Sequence, residues 1–215
     1  MHPQLRIVSL SMLMLLNAEL SFSQKYNYET SMLQCINLID SNFSAPAYIR
    51  AAKAFETIAS FEKSKWLPYY YASFTNIMLG TMDSDKSSKD KYFESGMIMI
   101  DAACKLEPFN SEVIAMKAFA LQMYISVAPK SRAIFNHTTL NNLLSKSIEL
   151  NPENPRAYYL KAAGLFYTPE LFGGGKKNAL RWFLIADEKY KSAQYETIFP
   201  HWGAAWVTYM IGKCN

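Results

Sequence analysis

The chain has 215 residues, half of them hydrophobic and 19% charged, with a formal net charge of +4. That is enough apolar material for one buried core and too much for a disordered chain. Lysines and arginines are dispersed among acidic residues instead of forming a basic stripe, which argues against a nucleic-acid reader, and eight glycines are too few for a loop-rich β fold.

Residues 1–23 read as a secretory signal peptide. Arg6 gives a positive start, Ile7 to Leu16 is an apolar run of ten residues, and Ser21-Phe22-Ser23 supplies small residues before a cleavage point at Gln24. The run is too short to span a bilayer, and no later segment reaches eighteen apolar residues. The expectation is therefore a periplasmic or secreted chain, residues 24–215, with no integral membrane segment after cleavage. Cys35, Cys104 and Cys214 remain, an odd number that does not make a disulfide framework.

Four helix pairs follow in chain order. The first is predicted over Tyr28 to Asp40 and Ala47 to Phe61. The second has a helix over Trp66 to Leu79, a polar stretch over residues 83–90 that reads as a solvated loop or a frayed start to the next helix, and a helix over Lys91 to Leu106. In the third, Ser111 is expected to cap a helix running to Ile125, with its partner over His137 to Leu150. The fourth opens at Pro155, a favoured first-turn residue. It runs as a helix to Tyr167, turns over residues 168–175, and continues as a helix over Lys177 to Tyr190. A last helix over Trp202 to Lys213 should cap the stack, since an end repeat otherwise exposes its apolar face.

A spacing ties these pairs together. The second helix of each carries two small or apolar residues seven apart, in two cases followed by proline: Gly96, Ala103 and Pro108, then Leu140, Ser147 and Pro152. Ala52 with Ala59 and Ala179 with Ala186 keep the same step. The second small residues stand at 59, 103, 147 and 186, a recurrence of about forty that marks stacked helical repeats. Small side chains let helices cross closely, ridge into groove. Phe55, Ile100, Leu144 and Phe183 fill the space beside them.

The pattern resembles the tetratricopeptide repeat, with Ala179, Phe183 and Ala186 matching three positions of its second helix. Trp66-Leu67-Pro68-Tyr69-Tyr70-Tyr71 and Phe172-Gly173-Gly174-Gly175-Lys176 are similar to segments of exported tetratricopeptide proteins from Bacteroidetes-type bacteria. The units are longer than the family's 34 residues. Ser73, Lys117 and Lys161 stand where its first helix carries leucine. The resemblance implies an all-α, right-handed superhelical solenoid of about four helix pairs, units 25–64, 65–108, 109–152 and 153–191, with a cap over 192–215. It also implies a concave groove, lined here by Tyr71, Thr75, Met78, Phe119, Gln122, Met123, Tyr159, Phe166 and Tyr167. The lysines, arginine and asparagines with which some members clamp a peptide carboxylate are missing.

The function these features point to is a non-catalytic scaffold of the bacterial cell envelope that binds a protein or peptide segment in its groove. The alternative is a small-molecule-binding component of a transport system, with an apolar pocket near Tyr159, Phe166, Tyr167 and Trp202. Gly173, Gly174, Gly175 and Lys176 precede a helix and are a candidate anion-binding turn, though without P-loop spacing. No catalytic motif is present, and His137 and His201 lack metal-binding spacing, so neither an enzyme nor a metal or cofactor is expected.

Overall fold

A computed structural model describes residues 27–214. The chain is all-α, as the sequence predicts: among the described residues there are nine α-helices and no strand. They run α1 Tyr28–Ser41, α2 Ala45–Phe61, α3 Trp66–Met82, α4 Lys86–Leu106, α5 Ser111–Val127, α6 Pro129–Leu150, α7 Pro155–Tyr167, α8 Lys176–Ser192 and α9 Ala204–Cys214. A short 3₁₀ turn, Glu170–Phe172, interrupts the α7–α8 connection. The proposed leader lies outside the described residues. No described helix is long and apolar enough to cross a membrane.

Local chemistry sets the boundaries. Asn27, Asp85, Asn110 and Asn154 each accept a backbone N–H of the following helix, satisfying donors that the first turn leaves orphaned. Several boundaries differ from the expectation or decide between readings. The residue that caps α5 is Asn110, and Ser111 is the helix's first residue, with its hydroxyl turned inward to the Ser147 carbonyl at 2.8 Å. Of the two readings of the polar stretch the helix start holds: residues 86–90 open α4, because Asp85 accepts from Ser88 N–H at 2.8 Å. α6 begins at Pro129, eight residues before His137. Its early turns are held by Arg132, which grips Asp90 of α4 and the Tyr124 carbonyl.

Each helix packs on the next in the chain from α1 through α8, while α3, α5 and α7 also touch one another in series. α9 packs on α8. Asn154 Nδ2 donates to Ser111 Oγ at 2.8 Å at the starts of α7 and α5, and Gln122 Nε2 donates to the Leu160 carbonyl at 3.2 Å further along both. The two helices are therefore parallel, and the α5–α6 and α7–α8 connections emerge at one edge.

Ala59, Ala103, Ser147, Ala179 and Ala186 are all buried at the crossings. Lys117 instead points toward α4 and pairs with Asp101 at 2.8 Å, and Lys161 lies over the Trp182 ring. Crossing distance is also set at Gly80, where an added Cβ would stand 2.8 Å from Cδ1 of the buried Phe93 ring. Gly80→Ala is expected to cost about 1–3 kcal/mol by overpacking. Chemical denaturation checks it; an unchanged midpoint would show that the ring can move.

Candidate functional site

The first helices of the pairs build an aromatic surface. α3 places Trp66, Tyr70 and Phe74 on successive turns, α5 contributes Phe119 and α7 contributes Tyr159. The segment between α8 and α9, residues 193–203, is a non-helical strap that crosses this surface. Trp202, predicted to start the last helix, belongs to the strap. Its indole stands between Phe74 and Phe119, with ring centroids 5.3 and 5.4 Å away and planes tilted by 21° and 27°. Trp206 of α9 extends the aromatic cluster to Tyr159, tilted by 45° at 6.0 Å. Phe199 meets Trp66 edge-on at 5.9 Å. Offset stacks of this kind contribute beyond simple area burial.

Polar groups lock the strap. Trp202 Nε1 donates to Tyr70 Oη at 3.0 Å, and Tyr190 Oη donates to the Trp202 carbonyl at 3.1 Å. Glu112 Oε1 accepts from Arg156 Nη1 at 2.9 Å, its Oε2 lies 3.3 Å from Tyr70 Oη, and Arg156 Nη2 donates to the Pro200 carbonyl. Arg156 is 1% exposed. Burial opposes its charge, but Glu112 and Tyr70, Tyr190 and Tyr195 more than offset that and keep its pKa above the ordinary value. Burial also raises the Glu112 carboxyl above its usual range, against the pull of Arg156 and the Tyr70 hydrogen bond. His201 pairs with Asp40 of α1 at 2.8 Å, so the strap reaches the first helix. The backbone turns into α9 at Gly203, with φ +113° and no room for a Cβ beside Tyr190 Oη.

The nine residues of the expected groove divide along this line. Tyr71, Thr75, Met78 and Phe119 are buried. The Tyr71 ring stacks on Phe55 of α2 at 5.1 Å, Thr75 Oγ1 bonds the Tyr71 carbonyl at 2.8 Å, and Phe119 lies under Trp202. Gln122, Met123, Tyr159 and Phe166 are half-buried toward the far end of α5 and α7, and Tyr167 is 78% exposed. Phe166 and Tyr167 meet edge-on at 5.1 Å. Burial lifts the Tyr159 phenol well above its ordinary pKa, so it stays protonated. Glu112, Arg156 and the strap apart from Trp202 are absent from the residues the sequence pointed to. Glu112 and Arg156 stand one repeat apart, at 112 and 156, and that equivalence was the available clue.

In the α7–α8 turn, Gly173 and Gly175 adopt φ of +80° and +91°, which glycine alone takes without strain. The N–H groups of Gly173, Gly174 and Gly175 donate to carbonyls of Glu170, Pro169 and Thr168 within the turn. Lys176 is exposed at the start of α8. Elsewhere, an open cleft of about 310 Å³ lies between α3 and α4, lined by Asn76, Ser88, Lys91, Tyr92 and Ser95. No group of three His, Cys, Asp or Glu residues that could hold a metal ion occurs among the described residues.

Packed helices carrying an aromatic surface, part of it covered by residues 193–203, make an all-α fold. No family model matches this chain, and no curated protein matches its sequence. A solved structure, the HusA haemophore from Porphyromonas gingivalis, is similar to it at 29% identity, with a TM-score of 0.79, over 90% of this chain and 95% of that one.

Proposed function

We propose that this protein is a non-catalytic carrier of haem or a haem-like flat macrocycle. The observation that carries the reading is the likeness to a haemophore across nearly the whole of both chains. The geometry supports a ring-shaped ligand in a specific way. The aromatic surface already holds two of the chain's own indoles, Trp202 and Trp206, against Phe74 and Phe119, and beyond Tyr159 the side chains of Met123, Phe166 and Tyr167 lie without an indole over them. A flat apolar ring gains by leaving water for such a surface.

A protein segment in the concave groove is the second reading. It is supported less well, because residues 193–203 of the chain lie across the part of the groove where an extended partner would lie. Export through residues 1–23 suits either role and is part of the proposal.

Titration of the full chain with haem, followed by the shift of its main absorption band and by tryptophan quenching, is expected to saturate at a fixed stoichiometry. Tyr167→Ala, an exposed site that leaves the core intact, is expected to weaken binding by about tenfold, corresponding to loss of one aromatic face. Absence of a saturable change with the parent chain would overturn the reading.

A further inference from the structure

The α7–α8 turn is tightly wired, yet it serves no core. Gly173 N–H reaches the Glu170 carbonyl at 2.9 Å, Gly174 N–H reaches Pro169 at 3.2 Å, and Gly175 N–H reaches both Leu165 and Thr168 at 2.9 Å. Asn178 Nδ2, from the first turn of α8, holds the Gly173 and Gly174 carbonyls at 3.1 Å. A Cβ on Gly174 would run into the Thr168 backbone, so the loop is packed on itself. This rigid loop turns its apolar side chains outward: Leu171 is 89% exposed and Phe172 75%. Tyr167, at the end of α7, flanks them. An exposed apolar patch on an ordered element marks an interaction surface.

Cations stand beside it. Lys176 and Lys177 open α8, both exposed, and neither enters a salt bridge. The turn's one carboxylate, Glu170, folds back so that its Cγ lies against Gly175. The partial positive charge of the α8 N-terminus adds to the lysines. An apolar plate with two cations at its border complements an apolar ring that carries carboxylates along one side. Haem has that chemistry, with a flat hydrophobic body and two propionates.

We infer that this turn is the outer rim of the ligand site, resting on the haem-class reading above: Tyr167, Leu171 and Phe172 take the ring, and Lys176 and Lys177 receive its two carboxylates. The rim would set selectivity for a dicarboxylate over a neutral ring of the same shape.

The test uses the full chain with two probes, haem and haem with both carboxylates methylated. Lys176→Gln with Lys177→Gln is expected to weaken haem by roughly three- to tenfold, as for two solvent-screened charge contacts, and to leave the diester unchanged. Leu171→Ser with Phe172→Ser is expected to weaken both probes. All four positions are exposed, so unchanged circular dichroism should accompany each variant. If the parent binds haem and the lysine variant binds it equally well, the rim assignment is overturned while the carrier reading stands. If the serine variant binds both probes as the parent does, the turn lies outside the site. If the parent binds neither probe, both proposals fall together.

Discussion

Arg156→Leu should lower the stability of the folded chain by about 3 kcal/mol, the lower end of what breaking a buried ion pair costs, because the Glu112 side chain keeps 21% of its surface in contact with water. For a chain of this size that corresponds to a melting temperature roughly 6–12 °C lower. Two losses combine. The Glu112 carboxylate loses its counter-charge in a desolvated position, and the Pro200 carbonyl loses the donor that anchors the strap. The pH dependence separates these losses. In the parent, burial already holds the Glu112 pKa above its ordinary 4.5, with Arg156 pulling it down. Without Arg156 it rises further. A carboxyl whose folded pKa exceeds its unfolded value stabilises the fold below the unfolded value and loses that contribution as pH rises through the folded one. The deficit of the variant should therefore shrink between pH 8 and pH 5. Adding Glu112→Gln should restore part of the loss at pH 8 and flatten the profile. Denaturant midpoints at the two pH values decide it. A deficit that is equal at both would mean that only the strap anchor was lost.

The pair also shows what could be read in the sequence. Close helix crossings were legible, because small residues seven apart recur along the chain, and Ala59, Ala103, Ser147 and Ala186 are buried. The start of α6 was not, and that of α4 was one of two readings. Lys86-Ser87-Ser88-Lys89-Asp90 and Pro129-Lys130-Ser131-Arg132 have the composition of solvated loops, and they are helical because Asp85 caps one and an Arg132–Asp90 bond joins the two. Such a bond links positions 42 residues apart and leaves no local trace. Of the nine residues expected to line a groove, Tyr71, Thr75, Met78 and Phe119 are core. The strap that covers Phe119 left no trace, because residues 193–203 carry no periodicity and reach their partners only through the stacked fold.

Trp202→Ala tests that cover, and its expected cost is about 3 kcal/mol, the lower end for truncating a large aromatic, since the indole is only partly buried. The substitution removes both stacks, on Phe74 and Phe119, and the hydrogen bond to Tyr70 Oη. Trp202→Phe keeps a ring between the two phenylalanines but loses the hydrogen bond and part of the indole's contact area, so it should cost about 1–2 kcal/mol. The ordering of the three chains in denaturant is the first readout, and equal midpoints would mean that the strap contributes nothing. Haem binding is the second. The alanine variant uncovers a slot between Phe74 and Phe119, whereas the proposed site lies beyond Tyr159. Haem affinity should therefore stay within about twofold of the parent, provided the variant is still folded, because changes at distant, independent sites add with little coupling. A large gain in affinity would instead mean that Trp202 occupies the ligand's own seat and must leave before the ligand enters. In that case the strap would be a competitor of the ligand, and the Glu112–Arg156 pair that anchors it would set the affinity from a distance.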